Sequence, residues 1–569
     1  MKFSKYSALI SAAIAFLFLL IYYIDIFNWS GCTMSGGHSS NTYLYINGTN
    51  DLGCYMHNAI GLLNGTWPTE PFFRAPLYTF FLAGCLIIYD SIAWVAFVQI
   101  FLSSVIVWLL CKTSALLFDY KSGVLGSIIL MLYGGFVFIT VVLHTAIMET
   151  FLAVLAFYCV SLLRKDFSWR NITLAGITAA LAGLVRPNFL LIAPLAIIAV
   201  CVEYLIVQSG DIKNHAKYIL IKKIILKSFI CMCLFFTVLL PFVIWNNLHS
   251  DKLLFLTTNA AVTWRQSNSY DSFPCGIITP QKPLMPVSSL PFWKHQGLKT
   301  VHYLKSVEVP QNVNYYIFLY YSTFLKFLPI NFGFIVALFL ASLFYFYRDW
   351  QKLLPLLIYT VVYALTIIAF NVTGRYRLPA VPLMLIPVSA MLIDIYKYRL
   401  LRKKKVIITG IIFIFFFIFS EPWSIADNFN SWGNQARRSL FALNLKEYQN
   451  CVSKMYNINP NNCNVRMTLF ASSAMNGDFK LAHYIIQNEA ARYKNDKYLA
   501  QSILELNILE QSTKLKDRGE WLKYLKQNTK LGHLGLQYKL FLRNITKRLE
   551  LGLYVDQENV TLLEEYLKF

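Results

Sequence analysis

Long apolar runs separated by short polar stretches fill the chain up to about residue 420, and they predict a bundle of membrane-spanning helices. A helix needs about 20 mostly apolar residues to cross the hydrocarbon core. The segments that meet or approach this length predict about 11 spans: Ser7–Phe27, Ile92–Cys111, Val124–Val141, Ala146–Leu163, Thr173–Val185, Phe189–Val207, Ile230–Asn246, Ile330–Phe346, Leu353–Ala369, Leu378–Tyr396 and Val406–Phe419. The expected fold class is therefore an all-α polytopic membrane protein.

Basic residues in the short loops set the expected orientation, because cytoplasmic loops carry the excess of Lys and Arg. Lys2 and Lys5 precede the first span, and a basic run at 399–405 precedes the last. The alternation is consistent only if Pro76–Tyr89 does not cross, since about 14 residues suit a re-entrant or interfacial helix. The N-terminus is then cytoplasmic. The loops 28–90 and 247–326 and everything after residue 420 are extracytoplasmic.

Composition supports a membrane protein and argues against a nucleic-acid-binding one. Charged residues make up 14% of the chain, whereas soluble domains average about 25%. The net charge of +22 does not indicate nucleic acid, because the positive-inside rule accounts for most clustered cations. Abundant Lys, Asn and Ile suggest an AT-rich genome, and the expected location is a bacterial inner (plasma) membrane.

A polar, helical pattern begins near Glu421, which divides the chain into a predicted membrane domain, 1–420, and a C-terminal helical domain, 421–569. Ala471–Asn488 places a Gly-Asp turn between two amphipathic stretches, as in a tetratricopeptide-like helix pair. Too few repeats follow for such an array, so an irregular helical domain is the alternative. Neither version contains a nucleophile or metal constellation, which favours a binding or covering role.

Cysteines on the predicted outer side leave the redox question open. Cys32 with Cys54, and Cys451 with Cys463, would pair if that compartment is oxidising. Two disulfides are a hypothesis only, because pairing does not follow from spacing.

Charged residues near the ends of the apolar segments are the candidates for chemistry, since ionisable groups near membrane spans are costly. Topology places them on the extracytoplasmic side, with both signs together, which suggests a site that handles a phosphate and a proton. They are Asp51, Arg74, Glu149, Arg186, Arg375 and Arg377.

Most of these residues also have ordinary alternative roles. Asp51 would cap a helix, and Arg74 would anchor to lipid headgroups instead of forking onto a lipid-linked phosphate. Glu149 would offset a helix dipole instead of serving as a base or holding a divalent metal. Arg186 precedes Pro187 in a hairpin, where a cation is unremarkable.

Two further stretches carry possible substrate contacts. Arg375 and Arg377 lie on the side where the positive-inside rule does not place cations, so topology alone does not explain them. In the second large loop, Trp264, Arg265 and Asn268 bring aromatic, cationic and amide groups together. Such groups suit a sugar or phosphate, although they are also common in loops.

In their order along the chain, these motifs resemble the GT-C superfamily of membrane glycosyltransferases. The likeness is greatest to glycosyltransferase family 39 and to the related aminoarabinose and protein O-mannosyl transferases. It spans roughly residues 1–400 and includes seven spans before the second large loop. The motifs that carry it are Asp51 with Tyr55, Arg74-Ala75-Pro76-Leu77, Arg186-Pro187 and Gly374-Arg375-Tyr376-Arg377-Leu378-Pro379.

The resemblance implies transfer of a sugar, with inversion, from a polyprenyl-phosphate donor to an acceptor hydroxyl on a lipid, protein or glycan. Asp51 would be the base, Arg74 with Arg375 or Arg377 would bind the donor phosphate, and Glu149 would orient substrate or metal. Asp51 and Glu149 would be the ligands of a divalent metal. The implied substrate-binding residues are Tyr55, Arg186, Arg265 and Asn268.

Two departures and three alternatives remain. The family's Asp-Glu pair is Asp51-Leu52 here, and the first proline of its Pro-Pro pair is Ala75, which leaves metal dependence and the donor open. A glycan polymerase or ligase also acts on lipid-linked glycans but needs no acidic residue in the first loop. A lipid or glycan transporter would show internal repeats, which the chain lacks, and an inactive scaffold is the third alternative.

Overall fold

The computed structural model describes residues 2–30, 51–66, 69–209, 214–272, 282–309, 322–398, 403–420 and 479–492, with a few isolated positions between them. The chain divides into two compact units, Met1–Ala426 and Asp427–Phe569. Within the described residues the regular structure is helical and no strand is formed, which confirms the predicted all-α fold class.

The first unit begins with helices of 7 to 35 residues. The helices up to the second large loop are α1 (Lys2–Ser30), α2 (Asp51–Leu63), α3 (Leu77–Ile88), α4 (Ile92–Leu117), α5 (Tyr120–Met131), α6 (Gly134–Thr140), α7 (Thr145–Leu162), α8 (Trp169–Val185), α9 (Phe189–Ser209) and α10 (Asn214–Leu248).

The remaining described helices of this unit are α11 (Asn259–Asn268), α12 (Leu290–Leu304), α13 (Thr323–Lys326), α14 (Phe332–Tyr345), α15 (Trp350–Leu357), α16 (Tyr363–Phe370), α17 (Gly374–Arg377), α18 (Val381–Tyr398) and α19 (Lys403–Ser420). A π-helical turn, Ile358–Val362, joins α15 to α16, and a short 3₁₀ turn, Leu378–Ala380, joins α17 to α18.

Several helices have the length and apolar character of membrane spans, which confirms the prediction of a multi-pass membrane protein. Among the described residues, six helical segments qualify: Tyr6–Ile26, Ile92–Leu117, Thr145–Leu162, Ile221–Leu248, Leu353–Phe370 and Gly374–Tyr398. Shorter apolar helices accompany them, including α3 with its 12 residues.

Two predicted spans are interrupted in the structure. Val124–Val141 is split between α5 and α6, because the backbone at the break pairs with Ile330 instead of continuing the helix. Gly134 donates its N–H to the Ile330 carbonyl at 3.3 Å, and Ile330 donates to the Leu132 carbonyl at 3.3 Å. The second is Leu353–Ala369, which stays helical but contains the π-helical turn Ile358–Val362. This turn follows Pro355, which has no N–H to donate to the helix.

The helices pack around a continuous core of buried apolar side chains. α4 contacts α1, α5 and α7, while α8 lies against both α7 and α10. Small residues allow the closest approaches: a Cβ added at Gly123 would lie 2.7 Å from the Cys111 carbonyl oxygen. Close helix packing through small residues is typical of membrane bundles.

In the second unit, α20 (Phe479–Arg492) falls partly within the predicted amphipathic segment. Ala482, Ile485 and Ile486 are buried on it, at the spacing of one helical face. The remainder of the proposed helix pair lies outside the described residues, as do Cys32, Cys451 and Cys463.

Candidate functional site

Asp51 lies at the beginning of α2, where its carboxylate binds two arginines. Arg74 donates to Oδ1 from Nη2 at 2.7 Å and from Nε at 3.1 Å. Arg375 donates from Nη2 to Oδ2 at 2.7 Å. Both carboxylate oxygens are therefore paired with guanidinium groups, one from the segment before α3 and one from α17.

The ion pair of Asp51 and Arg74 is partly exposed at the surface of the protein. The side chains of Asp51 and Arg74 each keep 22% of their surface exposed, while that of Arg375 keeps 5%. An anion that reaches Asp51 would therefore also come close to the guanidinium groups of Arg74 and Arg375, which the carboxylate bridges.

The two arginines determine the charge state of Asp51. Burial alone would raise the pKa of this carboxyl, but the positive charges of Arg375 and Arg74 outweigh it and hold the pKa well below its usual range. Asp51 is consequently ionised, and it is a weak base as long as both arginines remain bound to it.

His144 completes this part of the site, although no role was predicted for it. Its Nδ1 lies 3.2 Å from Arg375 Nη1, and its Nε2 lies 3.8 Å from Asp51 Oδ2. Because Arg375 can only donate, Nδ1 accepts, and the proton of the neutral ring belongs on Nε2, towards Asp51. Burial and the charge of Arg375 both lower the pKa of His144, so the ring is neutral near pH 7.

Glu149 and Arg186 form a second ion pair next to the first. Glu149 accepts from Arg186 Nη1 at 3.0 Å and from Thr145 Oγ1 at 2.5 Å. The Glu149 side chain is 4% exposed and that of Arg186 is 15% exposed, so this pair is less open to a ligand than Asp51 and Arg74. The Thr145–Glu149 bond joins positions one turn apart at the start of α7.

Two contacts join the pairs into one network. Thr145 Oγ1 lies 3.1 Å from His144 Nδ1, in contact but without a shared proton, because the Thr145 hydroxyl donates to Glu149. Tyr376 accepts from Arg375 Nη2 at 2.9 Å, and its ring lies under the Arg186 guanidinium, 3.9 Å from centroid to Cζ. We call these residues the Asp51 network: Asp51, Arg74, His144, Thr145, Glu149, Arg186, Arg375 and Tyr376.

Tyr55 supports the network from one turn further along α2. Its ring lies 5.8 Å from the Arg74 guanidinium and makes an edge-to-face contact with Tyr78, with centroids 5.2 Å apart. Tyr78 in turn donates to Gln99 at 3.0 Å. Tyr55 is only 8% exposed and packs against Arg74.

Arg377 lies outside the Asp51 network. Its guanidinium is fully buried and donates to the carbonyls of Tyr303, Lys305 and Val307 at 3.2, 2.7 and 2.5 Å. It also donates to Glu308 at 3.0 Å. Arg377 therefore fastens the segment after α12 to α17, while Arg375, two residues earlier, points to Asp51.

The two residues singled out in the second large loop are also separate from the network. Arg265 is exposed on α11. Asn268 is fully buried and binds Gln296, Lys299 and the Ala369 carbonyl. The structure thus uses Asn268 to connect helices, while Arg265 lies exposed on α11.

The carboxylates do not form a ligand set that suits a divalent cation. Both oxygens of Asp51 and both of Glu149 accept hydrogen bonds, and three guanidinium groups, those of Arg74, Arg186 and Arg375, surround them. Within the described chain no three His, Cys, Asp or Glu side chains are grouped as metal ligands. A divalent cation would need carboxylate oxygens that are not already neutralised by cations.

The network has an excess of positive charge. Three guanidinium groups and two carboxylates leave one net positive charge when His144 is neutral. An excess cation beside a reachable carboxylate favours an anionic ligand of low charge. The sequence identified the charged members, but not His144 or Tyr376, because an aromatic ring beside a span gives no distinctive pattern.

Comparisons with known proteins give limited information. No protein-family model matches the chain, and no curated protein matches it. Among solved structures, it is similar to the archaeal oligosaccharyltransferase AglB from Archaeoglobus fulgidus in complex with an inhibitory peptide and a dolichol-phosphate. That match has a TM-score of 0.39 and 14% identity, and it covers 79% of this chain and 60% of that one.

Two other crystal structures of the Archaeoglobus fulgidus oligosaccharyltransferase give the same result. The apo form matches with a TM-score of 0.41 at 13% identity over 78% of this chain and 60% of that chain. The complex with Zn and sulfate matches with a TM-score of 0.40 at 14% identity over 77% and 56%. The chain thus spans less than two thirds of these neighbours. A similarity this low does not establish a shared fold or activity.

Proposed function

We propose that the chain is a membrane glycosyltransferase of the GT-C type, with the motif order of family 39. It transfers a sugar from a polyprenyl-phosphate donor to an acceptor hydroxyl, with inversion, on the extracytoplasmic face. The observation that carries the proposal is the Asp51 carboxylate held at 2.7 Å by both Arg74 and Arg375. These three residues come from distant parts of the chain and meet at a reachable point.

The donor phosphate binds the two guanidinium groups that are paired with Asp51 at 2.7 Å. A guanidinium group binds a phosphate as well as it binds a carboxylate, through paired N–H groups. When Arg74 and Arg375 turn to the phosphate, the charges that depress the pKa of Asp51 leave it. Asp51 then becomes a stronger base, so the donor prepares the base for its own reaction.

The charge of the network supports a monophosphate donor. A sugar linked to a lipid through a single phosphate is a phosphodiester with one negative charge. The one net positive charge of the Asp51 network balances it. A diphosphate-linked donor would bring an additional negative charge that the network does not match.

The reaction then requires one bond exchange and one proton transfer. The acceptor hydroxyl attacks the anomeric carbon, and its proton passes to an Asp51 oxygen. The bond between the anomeric carbon and the phosphate oxygen breaks, and its electron pair remains on the phosphate. Arg74 and Arg375 stabilise the additional charge of the departing polyprenyl phosphate, which is the electrostatic contribution that usually dominates such catalysis.

The second ion pair positions the first. Glu149 holds Arg186 over the Tyr376 ring, and Tyr376 binds Arg375, so Glu149 fixes the orientation of a phosphate-binding arginine. The carboxylates are already paired with guanidinium groups, and we derive no step through a metal ion. We place Arg377, Asn268 and Arg265 outside the reacting groups.

The first test is transfer or hydrolysis of radiolabelled polyprenyl-phosphate sugars by the full chain purified in detergent. We expect Asp51→Asn to reduce turnover at least about 100-fold, the usual contribution of a general base. Asp90→Asn is the matched control, since Asp90 is an exposed carboxylate that follows α3. It should retain turnover.

Two outcomes would contradict this proposal. Full activity in Asp51→Asn would show that Asp51 is not the general base. No turnover of any polyprenyl-phosphate sugar, with binding of lipid-linked oligosaccharides instead, would favour a glycan polymerase or ligase.

A further inference from the structure

Lys299 is a buried cation outside the Asp51 network that the proposed reaction does not use. It lies on α12, and only 1% of its surface is exposed. Burial lowers the pKa of Lys299 to about 7. Three acceptors face Nζ and favour the protonated form, since only an ammonium group has three N–H donors.

Those acceptors include the last carbonyls of a helix. Lys299 Nζ donates to the carbonyl of Phe370 at 3.0 Å, to that of Ala369 at 3.4 Å, and to Asn268 Oδ1 at 2.9 Å. The final carbonyls of a helix have no partner within it, and a cation there also offsets the helix dipole. Lys299 therefore caps the C-terminus of α16.

Asn268 strengthens the same cap. Its Nδ2 donates to the Ala369 carbonyl at 3.1 Å, and its Oδ1 accepts from Gln296 at 2.7 Å as well as from Lys299. α11, α12 and the end of α16 are joined at this point. The nearby His295 binds the Ser267 carbonyl at 2.9 Å, and burial lowers its pKa, so the groups that face Lys299 are neutral.

The capped helix leads directly to a phosphate-binding arginine. After Phe370 the chain runs through the buried connection 371–373 into α17, where Arg375 binds Asp51. The downstream end of this connection is fixed independently, because Gly374 donates to the Val309 carbonyl at 2.9 Å. The upstream end depends on the cap at Ala369 and Phe370.

We propose that Lys299 is a positioning residue for donor binding, which holds Arg375 in place by capping α16 at the start of the 371–373 connection. The inference rests on the proposed function, because it treats Arg375 as a donor-phosphate contact. Lys299 itself touches neither Asp51 nor the reacting atoms.

The test compares Lys299→Met with Lys294→Met in the full chain. Methionine keeps most of the side-chain volume and removes the cation, and Lys294 is an exposed lysine of the same helix. We expect Lys299→Met to raise the donor KM about tenfold, the effect of losing hydrogen bonds from a charged group, with a smaller change in kcat. Lys294→Met should leave both constants unchanged.

A double-mutant cycle separates positioning from general loss of structure. If Lys299 acts through Arg375, Lys299→Met should add little to the donor KM in an Arg375→Ala background. Additive effects in the double variant would overturn the inference. Equal changes in kcat and in the donor KM of Lys299→Met and Lys294→Met would overturn it as well.

Hydrogen exchange provides a readout that needs no substrate. We expect faster amide exchange over 371–376 in Lys299→Met than in Lys294→Met, with the spans unchanged. Unchanged exchange in that segment would overturn the inference. If the wild type turns over no donor, the proposed function fails, while this measurement still decides whether Lys299 orders the segment.

Discussion

Arg375 and Arg377 are two residues apart in one short helix, yet their side chains have different surroundings. Arg375 contacts Asp51, His144 and Tyr376, at a point that a ligand can reach. Arg377 is fully buried among carbonyls and Glu308. The sequence motif presents them as equivalent, because neither charge nor spacing records which arginine faces a neighbouring segment.

This difference predicts that the same substitution lowers stability by different amounts at the two positions. Arg377→Met would leave Glu308 buried without its cation and should lower the stability by about 3 kcal/mol. Arg375→Met should cost less, because Asp51 keeps Arg74 and remains partly exposed. Thermal unfolding of both variants in one detergent measures this, and a larger loss of stability for Arg375→Met would contradict the assignment.

In the proposed reaction Asp51 and the donor phosphate compete for the same guanidinium groups, which makes a second prediction possible. Asp51→Asn removes the competing charge, so polyprenyl phosphate should bind more tightly to this variant although transfer is lost. Binding of polyprenyl phosphate to wild type and Asp51→Asn, measured by ligand-induced thermal stabilisation at fixed salt, provides the test.

Asp90→Asn serves again as the control, and its affinity should match that of the wild type. Weaker binding to Asp51→Asn than to the wild type would show that Asp51 supports the phosphate site instead of competing with the ligand.

At the scale of the element, α17 shows why the motif needs its glycine. A Cβ at Gly374 would lie 2.4 Å from Glu308 Oε2 and 3.3 Å from the Glu308 Cα. The backbone of the 305–309 segment approaches α17 this closely because Arg377 donates hydrogen bonds to carbonyls of that segment. Gly374 and Arg377 therefore belong to one structural unit, whereas Arg375 belongs to the candidate site.

Apolar length predicted most of the spans, since α1, α4 and α7 begin within a few residues of the sequence boundaries or extend beyond them. It did not predict the break at Tyr133 or the π-helical turn at Ile358–Val362. Both interruptions depend on tertiary contacts or on one proline, and an apolar run carries no signal for either.

The site was predictable only in part, for a related reason. Asp51, Arg74, Glu149, Arg186 and Arg375 are charged groups at span ends, and the cost of such charges marks them in the sequence. Asn268 was also singled out, but the partner that explains its burial, Lys299, lies 31 positions away. Contacts between distant segments cannot be read from local composition.

At the scale of the whole molecule, the contact between Asp51 and Arg375 constrains the topology. Two side chains 2.7 Å apart lie on one side of the membrane, so the chain between them must cross an even number of times. The apolar helices between them form pairs: α4 with the interrupted α5–α6 segment, α7 with α8, α9 with α10, and α14 with α15–α16. If each member crosses once, α3 cannot cross as well.

The length of α3 leads to the same prediction. Its 12 residues rise about 18 Å as a helix, which is short of the roughly 30 Å hydrocarbon core. Cysteines introduced before and after α3, Asn64→Cys in the connection that follows α2 and Asp90→Cys just past the end of α3, should therefore both react with a membrane-impermeant maleimide in intact cells. Lys165→Cys, in the loop after α7, should react only after permeabilisation, and the unmodified protein gives the background from native cysteines. Labelling of Asp90→Cys only after permeabilisation would mean that α3 crosses, and one of the paired helices would then have to lie outside the membrane for Arg375 to reach Asp51.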